Sequence, residues 1–175
     1  MYDKTFPNKR YKNTIEFLKT NIKPAATILD LGVENPFTTI MEREGYIVTN
    51  TKGEDLDVDT ANIEKANTDV VTAFEIFEHL LSPFTVLKAI PSDKLVASVP
   101  LKLWFSSAYR SKTDLRDRHF HEFEDWQFDW LLEKAGWNIK ARKKWTNPVK
   151  KIGIRPFFRL FTPRYYIVYA ERIKN

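Results

Sequence analysis

The sequence predicts an α/β fold: a doubly wound, mostly parallel sheet with helices on both faces and an antiparallel pair of strands at the C-terminal end. Three observations predict it. Short apolar runs at residues 26–31, 46–49, 69–74 and 94–99 alternate with segments of helical spacing, the pattern of βαβ units. Gly and Pro punctuate the runs, at Pro24, Gly45 and Pro100. Two β-rich segments, 137–144 and 165–171, then follow, joined by a basic and aromatic stretch.

Each element has its own signal. Ile15, Leu18 and Ile22, with Phe17 alongside, space an amphipathic helix over residues 10–22 that Lys23-Pro24 closes. A short helix over 38–44 stops at Gly45. Residues 75–90 read as a helix interrupted near Pro83. Residues 101–118 are polar and aromatic without clear period, longer than an ordinary connection, and read as a lid or binding loop. Phe128, Leu131, Leu132 and Ala135 share one face of a helix over 125–135 that ends at Gly136. Neither an internal repeat nor a low-complexity segment interrupts this order.

The chain of 175 residues has room for one domain, 1–175, with a basic aromatic insertion at about 145–164. With 43% hydrophobic and 29% charged residues it falls among ordinary globular proteins rather than disordered ones. No apolar run approaches the ~20 residues that span a bilayer, and MYDKTFPNKRYKN lacks the apolar centre of a signal peptide, so a cytoplasmic protein is expected. The absence of cysteine excludes disulfides, thiolate metal sites and cysteine nucleophiles, and leaves chemistry to oxygen and nitrogen groups. The oligomeric state is not written in the composition. The formal charge of +5 is local: nine of the 28 basic residues lie between Asn138 and Arg164, where there is no acidic residue. That concentration suggests a surface for an anionic partner.

The stretch ILDLGVENPFTT, residues 28–39, is the first candidate site. One glycine after a strand lets backbone approach a ligand, and the following helix offers free N–H groups. A dinucleotide turn needs further glycines, but Glu34 and Pro36 stand there, and a carboxylate repels phosphate. NAD and ATP are therefore disfavoured, while a cofactor with a cationic amino-acid end is tolerated better. Asp30 otherwise reads as a carboxylate capping backbone donors.

The order of ILDLG, TDVVTAFEIFEHLLSPFTVLKAI, KLVASVP and HEFEDWQFDWLLEKAGW resembles the class I S-adenosylmethionine-dependent methyltransferases, particularly those acting on small molecules, quinones, sugars and RNA ends. The resemblance covers about residues 15–170 and implies a Rossmann-like sheet. It further implies that Asp30, Gly32 and Glu34 meet the methionine end of S-adenosylmethionine and that Asp55 to Asp57 approach the adenine. Phe74 and Glu75 would flank the cofactor. The family's ribose-binding acid would fall near Thr51-Lys52, where there is no carboxylate.

Within EIFEH, helical spacing would let Glu75, Glu78 and His79 converge on one point, a donor set that suits Mg²⁺ or Mn²⁺. Some methyltransferases of the resembling group hold such a metal with a later histidine, and His121, fifteen residues before Gly136, matches it by position. Without a metal, the same glutamates simply favour a helix N-terminus. His79 and His121 are the candidate bases for the acceptor.

The stretch KKWTNPVKKIGIRPFFRLFTPRYY interleaves cations with Trp145, Phe157, Phe158 and Phe161. Residues 140–164 could thus meet nucleic acid or an anionic membrane surface, or form a solvated hairpin extension. The resemblance implies methyl transfer to a hydroxyl of a small molecule, glycan, lipid or RNA end. In the alternative, a degenerate methyltransferase-like module keeps only a basic surface for an anionic partner. Trp104, Phe105 and Tyr109 in the long loop suggest a partly apolar or planar acceptor.

Overall fold

Six strands are present: β1 (Thr27–Asp30), β2 (Ile47–Asn50), β3 (Val70–Phe74), β4 (Lys94–Pro100), β5 (Trp137–Thr146) and β6 (Pro163–Arg172). In this computed structural model, which describes residues 8–149 and 152–174, they form one sheet in the order β2-β1-β3-β4-β6-β5. β1 pairs in parallel with β2 and β3, and β3 with β4. β6 then inserts antiparallel between β4 and β5, with Lys94 opposite Glu171 and Pro100 opposite Tyr165. This is the predicted sheet, including its antiparallel pair.

The helices are α1 (Asn8–Asn21), α2 (Pro36–Arg43), α3 (Ala61–Glu64), α4 (Pro83–Ala89), α5 (Asp125–Lys134) and α6 (Ile154–Phe158). Successive strand residues point to opposite faces, so the central strands feed two cores. Val71 and Leu95 join Leu87, Phe128 and Leu132 beneath α4 and α5. Their neighbours Val70 and Val96 join Leu18, Phe37 and Met41 beneath α1 and α2. Both faces are covered, which is why the strands read as continuous apolar runs.

The expected helix over 75–90 is corrected. Glu75 has a positive φ of 59°, a single 3₁₀ turn follows at Phe77–His79, and α4 begins only at Pro83, which occupies a first-turn position. The N–H groups of Leu81 and Ser82 ahead of it donate to the Asp57 carboxylate, both at 2.8 Å. A long-range acceptor thus holds this stretch out of helix.

The long loop is closed at its root: Leu101 forms a bridge with Phe123, and the Lys102 N–H donates to the Phe123 carbonyl at 2.8 Å. The basic stretch is divided. Lys140 pairs with Glu171, Arg142 with Asp129, Lys143 with Glu16 and Lys144 with Asp125, so the cations of β5 are neutralised by acids remote in sequence. Lys150 and Lys151 lie outside the described residues. No helix among the described residues is long and apolar enough to cross a membrane.

Candidate active site

The strand order reverses between β1 and β3: the chain steps outward from β1 to β2, then returns to build the rest of the sheet on β3. Ligands of open α/β sheets bind at the carboxyl ends of the strands flanking such a switch. Asp30 ends β1 at this crevice, and Phe74 and Glu75 end and follow β3.

Asp30 is only 3% exposed, and its carboxyl accepts from Thr72 Oγ1 at 2.6 Å and from Asn50 Nδ2 at 3.2 Å. Burial pushes its pKa up to about 7, against the pull of those two bonds. Gly32 follows at φ 112°, where a Cβ would stand 3.3 Å from Ile76 Cδ1. Its N–H donates to Thr51 Oγ1 at 2.7 Å, and Asn50 Nδ2 donates to its carbonyl at 3.2 Å. The turn is thereby tied to the end of β2.

The residues that replace the extra glycines have a local explanation. Asn35 caps α2, accepting from the Phe37 N–H at 2.9 Å, and Pro36 is the first helical residue. Glu34 lies exposed before this cap, where with Asn35, Thr39 and Arg43 it borders an open hollow of about 620 Å³. Phe37 meets Phe74 edge-on at 5.3 Å and Tyr11 at 5.0 Å, so α1 and α2 wall one side of the crevice.

At the other strand ends, Thr51 is buried and spent on Gly32. Asp55 accepts from the Asp57 N–H at 3.0 Å, and Asp57 is spent on Leu81 and Ser82. Glu54, absent from the residues that the sequence singles out, accepts from the Lys52 N–H at 2.7 Å and from Asn62 Nδ2 at 2.9 Å.

Among the described residues, Glu75, Glu78, His79 and His121 do not form one ligand group. The positive φ at Glu75 turns its carboxyl to Ser98 Oγ at 2.9 Å and to Arg10 Nη1 at 3.8 Å. His121 stacks on Phe123 and sets Nε2 3.4 Å from the Leu81 carbonyl. His119 takes its place: one ligand atom from each of Glu78, His79 and His119 lies within 4.8 Å of the others. The loop is seated there by backbone, since the N–H groups of Phe120 and His121 both donate to the Glu78 carbonyl, at 2.8 and 3.2 Å, and His79 Nδ1 lies 3.0 Å from the Arg118 carbonyl.

Glu78 is fully buried with Oε2 unpartnered, and burial, reinforced by the charge of Glu75, pushes its pKa well up. Burial raises Glu75 as well, while Arg10, Ser98 and Arg164 hold it back. His119 is pulled down to about 4, by burial first and then by His79 and Arg164, so its ring is neutral at pH 7. Its buried Nδ1 also lacks a partner. The one carboxyl of this group, that of Glu78, already lies in the field of the Arg10 and Arg164 guanidinium charges, which weighs against a further cation.

No protein-family model matches the sequence, and no curated protein matches it. Solved structures do. The fold is similar to that of a SAM-dependent methyltransferase from Archaeoglobus fulgidus, with a TM-score of 0.61 at 14% identity over 94% of each chain. The chain has the class I methyltransferase fold. Magnesium protoporphyrin IX methyltransferase from Synechocystis PCC 6803, solved with bound SAM, is similar over 94% of this chain and 78% of its own, with a TM-score of 0.60 at 12% identity. The [4+2]-cyclase SpnF is similar over 100% of this chain and 85% of its own, with a TM-score of 0.62 at 13% identity. A cyclase on the same fold shows that the methyltransferase fold alone does not fix the reaction.

Arg10, Asn50, Thr72 and Ser98 border the candidate site without being singled out in the sequence, and His119 lies where His121 is expected. Thr72 and Ser98 had a signal: each is a hydroxyl within an apolar strand, in DVVTAF and KLVASV, and such a group needs a buried partner.

Proposed function

We propose that the chain is an S-adenosylmethionine-dependent methyltransferase that methylates a hydroxyl oxygen. One observation carries this reading: a buried carboxyl, Asp30, and a left-handed glycine turn sit at the switch point of a methyltransferase-type sheet.

The residues fit one end of this cofactor better than the other. Asp30, whose pKa burial pushes up to about 7, would be held ionised by a cationic amino-acid end. At the end of β2 the free acid is missing, because Glu54 and Asp57 are spent on the protein's own donors. When bound, the cofactor supplies an activated methyl group on its sulfonium. The protein's part is then to align the acceptor and exclude water, a task we assign to the loop whose Phe120 and His121 N–H groups seat it on Glu78. His119, neutral and edge-on to His79 at 4.8 Å, is the group able to take the acceptor's proton. Arg10 pairs with the Glu75 carboxyl at 3.8 Å. No step uses a metal.

The spent acids favour a second reading, a module of this fold that has lost its cofactor and binds a partner instead. Incubation with methyl-labelled S-adenosylmethionine and a panel of phenols, sugars, lipids and RNA separates the two. The enzyme reading expects a base-stable labelled product, a His119→Ala variant slowed about 10²-fold with unchanged cofactor affinity, and no response to Mg²⁺ or Mn²⁺. Failure of the purified protein to bind the cofactor would leave the module reading.

A further inference from the structure

The connection between β5 and β6 carries more exposed apolar surface than a hairpin extension explains. α6 and the turn after it bring Ile154, Phe157, Phe158 and Phe161 together on a short, largely apolar segment. Phe158 faces inward and is covered by Trp104, at 4.8 Å, and by Phe105, at 5.5 Å. The others face out: Ile154 is 76% exposed, Phe157 57% and Phe161 69%. Trp104, 69% exposed, continues the patch onto the long loop, and Ile152 extends it at the other end.

Isolated exposed apolar residues are ordinary, but a contiguous patch of this kind marks a place where something binds. Its charge identifies the partner. Arg155 and Arg159 belong to the same segment and form no ion pair among the described residues, unlike the four cations of β5, each of which has an acid. No acidic residue occurs from Asn138 to Arg164. The surface is therefore cationic at its rim and apolar at its centre.

Nucleic acid fits the rim and could stack on Trp104, Phe157 and Phe161, but it leaves the exposed aliphatic Ile152 and Ile154 without a partner. A bilayer fits both rim and centre. Interfacial segments bury Ile, Phe and Trp at the boundary between headgroups and acyl chains, while Arg meets anionic lipid. We infer that α6, with Trp104, docks this protein on the surface of an anionic membrane. The protein lies on the bilayer and does not span it. Because Trp104 and Phe105 belong to the loop seated on Glu78, docking would set that loop at the membrane surface. Docking of this kind is independent of whether the crevice binds a cofactor.

Co-sedimentation of the full chain with vesicles tests it, using phosphatidylcholine alone and phosphatidylcholine mixed with phosphatidylglycerol. The wild type is expected to sediment with the mixed vesicles and to remain in the supernatant with the neutral ones. Phe157→Ser combined with Phe161→Ser should weaken binding by about 10²-fold, and Arg155→Glu with Arg159→Glu by a similar factor that shrinks at high salt. Circular dichroism and melting curves unchanged from wild type would show that each variant still folds. A wild type that ignores mixed vesicles at low salt overturns the inference. So does selective binding to a single-stranded RNA oligomer, or a concentration-dependent dimer that the Phe variant dissolves, when vesicles are left unbound.

Discussion

Asp30 is a buried carboxyl whose ionisation the fold opposes, and this has a measurable consequence. Folded, it holds its proton to about pH 7; unfolded, it releases it near the ordinary value of 3.8. Between those values the folded state binds more protons, so stability falls as pH rises and levels off above the folded value. A rise of that size corresponds to about 4 kcal/mol. Asp30→Asn removes that part of the slope. In urea titrations at about pH 5 and about pH 8, the wild type should lose more stability than the variant over the interval, by a few kcal/mol. Equal losses would mean that Asp30 is ionised in the folded protein. The histidines show how far a residue's role depends on distant contacts. Spacing favours His121, yet it is the His119 ring that meets His79 and Glu78, while His121 stacks on Phe123 and the backbone N–H groups of Phe120 and His121 bond to Glu78. Those bonds join residues about forty positions apart and leave no trace in local sequence.

At the scale of elements, glycine turns separate strain from crowding. Gly32 and Gly136 both have positive φ, of 112° and 92°, but a Cβ at Gly136 meets nothing within 4 Å, whereas at Gly32 it meets Ile76 at 3.3 Å. Gly136→Ala is expected to cost about 1 kcal/mol, from backbone strain alone. Gly32→Ala should cost about 1 kcal/mol more, through displacement of Ile76. Paired denaturant unfolding measures the difference, and equal costs would mean that Ile76 moves aside freely. Local and distant causes also divide what is legible in the sequence from what is not. Apolar runs and their punctuation locate every strand to within about two residues of its ends, and in β1, β3 and β4 burial on both faces dictates such runs. The stretch 75–82 reads as helix because its apolar spacing fits one, while Asp57, Ser98 and Pro83 impose another path. The basic stretch divides likewise: Glu16, Asp125, Asp129 and Glu171 pair with the cations of β5, and only the fold brings them there.

At the scale of the whole molecule, the sheet order places its switch point, its buried carboxyl and its glycine turn together, as the resemblance in sequence implies. What resemblance does not convey is how far Thr51, Glu54 and Asp57 are engaged by the protein's own hydrogen bonds. Those bonds favour a cofactor held chiefly by its amino-acid end. The central claim is therefore one of binding, and titration calorimetry with S-adenosylmethionine and S-adenosylhomocysteine tests it most directly. Saturable binding in the micromolar range, unaffected by Mg²⁺ or Mn²⁺ and abolished in a folded Asp30→Ala variant, is the predicted result. No heat of binding up to millimolar ligand, or an Asp30→Ala variant that binds as the wild type does, would contradict it.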